Sequence, residues 1–414
     1  MNPVFYYYEK NGKLLAGTKE YPDLKPAAPR AGEPVFFLFE GDSVLGRGSF
    51  RVNHPGQLVS PCGLSVLDAS RLPDLSPDET ISRVLAEGKL TAVNKNRTGW
   101  EKVLQGPKPG KKRVHILAIG DVGSTMLIGL KLLGGDVISR IGICDISEQT
   151  LKRWEFEMGQ VSLPWDYDAF PEVVIVPQDR LFDCDVFVFA ASKGIPPVGS
   201  RVRDVRMAQY ESNAGLVKHY ARMAREQGFQ GFWAAVSDPV DPLAKTAYLE
   251  SNRDENGAWD GLGLMPEQVQ GFGLGVMNAR AAYFAKRDER FASFLSEGRS
   301  FGPHGEGLWI ANSLDHYDEE LSRVLTQLTV TANIRMRELG FKPYAAPALS
   351  SGALSLLLTL RGEWHCGSVF LDGVYLGCRN RYTDAGIETE LLPAIPDELY
   401  EHLRQAVCGL KSIL

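Results

Sequence analysis

The sequence predicts an α/β protein whose centre is a doubly wound parallel sheet, preceded by a small, mostly β N-terminal domain. Three observations carry that prediction. The chain's 414 residues exceed one ordinary core and suit two or three domains. From Arg113 onward, apolar runs of strand length alternate with helical segments. Before about residue 105 the chain instead shows short β-rich runs broken by turn residues.

In the first segment, residues 1–105, the runs FYYYEK, PVFFLFEG and GSFRVN read as strands separated by Gly, Pro and Asp. DETISRVLAEGKL reads as a helix with Asp78 as its N-cap. His54 and Cys62 stand eight residues apart, but a lone His and Cys in a small β-rich domain are expected to be structural. GPKPGKK, residues 106–112, reads as a linker.

Then come VHILAIG, a strand, and VGSTMLIGLKLLGG, a helix closed by Gly. RIGICDI and SEQTLKRWEFEMGQV repeat the pair, and VVIVPQ and CDVFVFAAS are two further apolar runs. A long helix through RMAQYESNAGLVKHYARMAREQG and a buried strand, GFWAAVSDP, complete the series. Alternation of this kind, with right-handed crossovers, points to a Rossmann sheet covered on both faces, over residues 113–250.

Composition narrows the function. Hydrophobic residues make up 44% and charged residues 23%, the balance of a soluble globular protein. The net charge of −6 and the lack of a basic block disfavour nucleic acid or an anionic membrane as partner. No apolar run approaches a membrane span, and the six cysteines form no CxxC pair, so no metal site is expected. A cytoplasmic, thiol-reduced protein is the expectation.

The first strand of the alternating region runs into Ala118-Ile119-Gly120-Asp121-Val122-Gly123 at the start of a helix. A dinucleotide fingerprint requires glycine at the tight turn, where backbone meets pyrophosphate, and where helix packs on strand. Ala118 stands at the first position, with Gly120 and Gly123 at the others. Main-chain N–H groups there, that of Val122 included, can hold phosphates. A carboxylate facing pyrophosphate is unfavourable, so Asp121 is expected to point away. Asp145 follows Gly123 by 22 residues, at the end of the second strand. A carboxylate there accepts hydrogen bonds from a ribose diol and repels a 2′-phosphate, which favours NAD over NADP.

From about residue 113 to 414 the sequence resembles the lactate/malate dehydrogenase superfamily, through five stretches in the family's order. They are the fingerprint turn with the Asp145 strand, CDVFVFAASKGIPPVGSRVRDVRMAQYESNAGLV, VSDPVDPLA, GFGLGVMNARAAYF and FGPHGEGLW. The resemblance implies an α+β substrate domain over residues 251–414, NAD as cofactor and a small 2-hydroxy or 2-oxo acid as substrate. It also implies a homo-oligomer, a dimer or tetramer. Ala191 and Ser192, ending the third nucleotide-contacting strand, are implied cofactor contacts. His304, 24 residues after Arg280, is the implied general acid/base, a task imidazole suits near neutral pH. Arg280 is the implied two-pronged carboxylate clamp. The arginine that polarises the substrate carbonyl should come from the loop after Ser192. Ungapped counting from GIPPVGS favours Arg201, counting back from Asn213 favours Arg206, and Arg203 lies between. Ile195 falls where the substrate side chain is sensed.

Two positions depart from the family's pattern. The aspartate that orients the catalytic histidine is replaced by Met277, and the asparagine that touches the substrate oxygen by Asp238. One acid is lost and another gained, so Asp238 is a candidate replacement partner for His304. Residues 251–268 look like an insertion whose Trp259 could reshape the pocket mouth. The leading expectation is an NAD-dependent oxidoreductase acting on a 2-hydroxy acid. The alternative is a non-catalytic NAD(H)-binding redox sensor or interaction protein, which Met277 and Asp238 favour. An NAD-dependent glycosidase is disfavoured, since no Cys lies near VSDPVD to hold a redox metal.

Overall fold

The computed structural model describes residues 3–30, 32–193 and 205–413. Its N-terminal part is a six-stranded sheet in the order β3-β1-β2-β4-β6-β5. The strands are β1 (Tyr6–Lys10), β2 (Lys13–Gly17), β3 (Lys25–Pro26), β4 (Val35–Phe39), β5 (Ser49–Arg51) and β6 (Leu90–Asn94). Helix α1 (Glu79–Ala86) starts at Asp78, whose carboxylate accepts the Ile81 N–H, so the expected N-cap is in place. KLLAG and LTAVN are strands that the turn-bounded reading passed over. Both are almost wholly buried and pair in parallel with β4, and buried parallel strands lack the alternation by which strands are recognised. His54 Nδ1 accepts the Gly56 N–H and caps a short 3-10 turn, while Cys62 packs at the rim of this domain's core, so both are structural.

The main sheet has nine strands in the order β17-β16-β15-β12-β11-β10-β7-β8-β9. Its parallel half comprises β7 (Lys112–Leu117), β8 (Ile138–Cys144), β9 (Glu172–Ile175), β10 (Val186–Phe189), β11 (Phe232–Ala235) and β12 (Val269–Gly271). Reading β7 as first, the order is 3-2-1-4-5-6, the doubly wound arrangement, with the strand order reversing between β7 and β10. Helices α2 (Asp121–Leu133), α3 (Glu148–Gly159), α4 (Val205–Glu226) and α5 (Val240–Ser251) connect these strands. Two cores result, one around Trp233, Phe187 and Phe189, the other around Ile116, Met126 and Ile141.

The C-terminal part begins with α6 (Leu274–Ala285), the short α7 (Phe294–Glu297), and the hairpin β13 (Arg299–Phe301) with β14 (Trp309–Ala311). There follow α8 (Glu319–Glu338), a π-helical turn (Pro347–Leu354) and α9 (Ser355–Arg361). The antiparallel strands β15 (His365–Leu371), β16 (Val374–Thr383) and β17 (Gly386–Thr389) extend the main sheet, and α10 (Asp397–Lys411) closes the chain on their outer core. No helix among the described residues is long and apolar enough to cross a membrane.

Residues 251–268 do something other than reshape a pocket mouth. They join the end of α5 to the start of β12, at the edge of the sheet opposite the strand ends where ligands bind. Trp259 packs edge-on against Tyr248, whose hydroxyl donates to Val44 O and accepts from Arg97. Glu267 accepts from Ser49 Oγ at 2.5 Å. The segment is therefore a docking surface for the N-terminal sheet. The N-terminal part also leans on β17, with Arg51 paired to Glu388 at 3.1 Å and Asn53 donating to Thr389 O.

Candidate functional site

The fingerprint turn is built from an unusual residue choice. Ala118 has φ +72°, the left-handed region in which a Cβ is costly, so alanine occupies the position the motif gives to glycine. Gly120 is the N-cap of α2 and contributes no side-chain cap, which leaves first-turn N–H groups without a side-chain acceptor. A Cβ added at Gly120 would meet nothing within 4 Å, so that face of the turn is open. A Cβ on Gly123 would lie 2.0 Å from Ala118 O, so here glycine is what lets the helix lie on the strand. Asp121 forms an exposed ion pair with Lys342 at 2.9 Å, turned outward to solvent. Replacing Ala118→Gly is expected to stabilise the protein by about 1 kcal/mol by relieving the left-handed alanine. Urea unfolding with an unchanged m-value checks it.

Asp145 follows β8 directly. Its Oδ2 accepts the Ile119 N–H at 2.7 Å and its Oδ1 the Ser147 N–H at 2.9 Å. The carboxylate therefore ties the second strand to the fingerprint turn and remains partly exposed, with lone pairs free to accept from a diol. Open backbone at a helix N-terminus, a glycine that admits no Cβ and an acid at the second strand end together fit a dinucleotide.

The ends of β10 and β11 are knitted by Asn213 of α4, which is fully buried. Its Oδ1 accepts the Lys193 N–H, and its Nδ2 donates to Ser192 Oγ and Asp238 O. Ala191 O accepts from Ser237 Oγ at 2.7 Å. Ala191 and Ser192 thus sit beside the turn that carries Asp238, at the point where the strand order reverses. Asn213 entered the sequence reading only as an alignment marker.

His304, Asp238 and Arg280 come together although they lie on three separate segments. His304 follows β13, Asp238 precedes α5 behind a cis Asp238–Pro239 bond, and Arg280 is on α6. His304 Nε2 is 3.7 Å from Asp238 Oδ1, an ion-pair separation when the imidazole is protonated. His304 Nδ1 lies 2.9 Å from Gly273 O. A carbonyl only accepts, so Nδ1 carries the proton and Nε2 is the nitrogen left for chemistry. A Cβ on Gly273 would come within 2.6 Å of His304 Cβ, so glycine at 273 makes room for the ring. Arg280 is partly buried, and that burial lowers its pKa against an opposing pull from the Asp238 carboxylate. Met277, where the orienting aspartate was expected, lies in the core with Leu274 and Val276, and its Sδ is 3.5 Å from Arg280 Nη1.

Beneath His304 is a residue that motif reading missed. Asp241, fully buried, accepts the His304 main-chain N–H on Oδ2 at 2.9 Å and a short hydrogen bond from Ser368 on Oδ1. Burial pushes its carboxyl up to about 6, with Asp238 adding to the rise and the Ser368 and His304 N–H bonds opposing it. The second aspartate of VSDPVD could have flagged Asp241. Ser351, which donates to Gly273 O, and Ser368 carry no sequence signal. Ile195, Arg201 and Arg203 lie outside the described residues, as does the side chain of Arg206. Among the described residues no group of His, Cys, Asp and Glu could hold a metal ion.

No family model matches the chain. It is 25% identical over 204 residues to an L-lactate dehydrogenase of Mesomycoplasma hyopneumoniae (strain 232), covering 49% of this chain and 58% of that one. The L-lactate dehydrogenase of Staphylococcus epidermidis is 24% identical over 196 residues, covering 47% and 55%. The chain thus spans a little over half the length of the curated relatives it matches. Among solved structures, the minor L-lactate dehydrogenase from Enterococcus mundtii in its ligands-bound form superposes with a TM-score of 0.58 at 17% identity. That match covers 73% of this chain and 97% of that one. Malate dehydrogenase from Archaeoglobus fulgidus in complex with NADH gives 0.56 at 18% identity, covering 73% and 98%. The chain is thus weakly similar in sequence to L-lactate dehydrogenases and has the fold of the lactate and malate dehydrogenases. Around the histidine, a main-chain carbonyl meets Nδ1 of the ring, and Met277 packs in the core with Leu274 and Val276.

Proposed function

We propose that the protein is an NAD-dependent oxidoreductase acting on the CH–OH group of a small 2-hydroxy acid, or reducing the corresponding 2-oxo acid. The observation that carries this reading is the pairing of His304 Nε2 with Asp238 at 3.7 Å, with Arg280 within the field of the same carboxylate. Gly120, Val122 and Gly123 would hold the pyrophosphate of NAD through main-chain N–H groups, and Asp145 its ribose diol. Ala191 and Ser192 would flank it. Bound there, NAD supplies the two-electron oxidant or reductant.

The chain's own residues do the rest. Arg280 clamps the substrate carboxylate in a two-pronged pair, which burial strengthens. His304 Nε2 takes the hydroxyl proton in one direction and returns it in the other. Asp238, 3.7 Å from Nε2, favours the imidazolium that results from the side on which substrate arrives. Its charge also disfavours a second anionic group on the substrate, so monocarboxylic oxo acids should be preferred over oxaloacetate.

Following NADH consumption with aliphatic, aromatic and acidic 2-oxo acids tests the proposal. Turnover is expected with at least one monocarboxylic acid, reduced about tenfold or more in Asp238→Asn. NADH binding without turnover on any of them would sink the enzyme reading. It would favour a redox-sensing NAD(H)-binding protein, to which the core-packed Met277 lends its weight.

A further inference from the structure

We infer that Asp241, together with Ser368, is the positioning residue for His304, supplying from below the buried negative charge that Met277 does not. The inference rests on reading His304 as the acid/base of the proposed reaction. The ring is oriented by main chain: Nδ1–H donates to Gly273 O, and that carbonyl is itself held by Ser351 Oγ at 2.8 Å. Ser351 Oγ in turn accepts the Val276 N–H at the start of α6, so the acceptor cannot swing away. A neutral carbonyl fixes the tautomer but brings no full charge to favour imidazolium.

Two carboxylates are near. Asp238 faces Nε2 from the solvent side, with its side chain 47% exposed. Its field is therefore screened, and it occupies the side on which substrate must arrive. Asp241 is buried at the first turn of α5 and bonded directly to the His304 N–H, where a charge is felt through low dielectric. Ser368, reaching in from β15, holds its other oxygen. Arg280 on α6 lies within the field of Asp238, and Lys245, one turn along α5 from Asp241, is buried with a partner of its own. Glu306 shares the His304 loop and has a partner of its own. A fully buried carboxyl is costly to keep, and its two bonds run to His304 and to Ser368.

The test is a titration of His304 by NMR in protein labelled with ¹³C at histidine Cε1. The signal is assigned by its loss in His304→Gln. Asp241→Asn keeps an oxygen for the His304 N–H and removes the charge. It is expected to lower the His304 midpoint by about one pH unit. Ser368→Ala, which leaves the carboxylate in place but loosens it, is expected to lower it by about half as much.

Folding is checked by melting temperature at pH 8. Asp241 titrates higher in the folded chain than in the unfolded one. It therefore costs stability as pH rises through about 6, and asparagine escapes that cost. An unchanged midpoint in both folded variants overturns the inference, as does a shift confined to Asp238→Asn run alongside. Should Asp241→Asn fail to fold, the Ser368→Ala shift decides. The titration uses the protein without substrate. A shift in the absence of turnover on any oxo acid therefore upholds this inference while rejecting the proposed reaction.

Discussion

His304→Ala is expected to lower kcat/KM for 2-oxo acid reduction by about 10²- to 10⁴-fold, the range contributed by a positioned acid/base. NADH affinity should stay within about twofold, because His304 lies on a different segment from the fingerprint turn and Asp145. The structure makes this a clean removal. The loop that carries His304 is held through its main-chain N–H to Asp241, a bond alanine retains. Ring loss therefore deletes Nε2 without releasing the loop. Steady-state absorbance of NADH gives the first quantity, and its fluorescence on binding the second. Turnover within about threefold of the parent protein would remove His304 from the chemistry and, with it, the role assigned to Asp238.

Gly123→Ala carries the second large effect. The added Cβ would sit 2.0 Å from Ala118 O and 3.1 Å from Ala118 C, main-chain atoms that cannot rotate out of the way. Helix α2 would have to lift from β7, and with it the N–H groups proposed to hold pyrophosphate. A stability loss of about 2–3 kcal/mol is expected from such overpacking, and NADH affinity should fall by at least about tenfold. Gly120→Ala supplies the contrast. Its Cβ meets no neighbour within 4 Å and its φ of −78° suits alanine, so the melting temperature should hold while NADH binding is lost. If both variants bind NADH as the parent does, the dinucleotide does not lie over this turn.

Much of the α/β half was legible because its signals are local. Apolar runs of strand length separated by amphipathic helices report burial on two faces, and handedness pointed to a doubly wound sheet, as observed. The N-terminal part was read less well. KLLAG and LTAVN are central strands of a mixed sheet, buried on both faces, and lack the alternation that marks half-buried strands. Residues 251–268 were read as a pocket insertion for a related reason. Ser49, which donates to Glu267, lies 218 residues earlier in the chain, and no local pattern announces such a contact.

The site divides in the same way. The sequence by itself singled out the fingerprint turn, the acid at position 145, and His304, Arg280 and Asp238 as candidates, since each stands in a short motif read from neighbours in the chain. Only the tertiary structure decided how the histidine is held. Its ring hydrogen-bonds to a carbonyl 31 residues away and its main chain to a carboxylate 63 residues away. Ser368, 127 residues from Asp241, completes the support. A hydrogen bond depends on distance and direction in space, and those follow from how β12, β15 and α5 pack. Any residue with a suitable donor or acceptor can serve once packing has brought it there, and for that reason a main-chain oxygen can stand where the family's pattern has an aspartate.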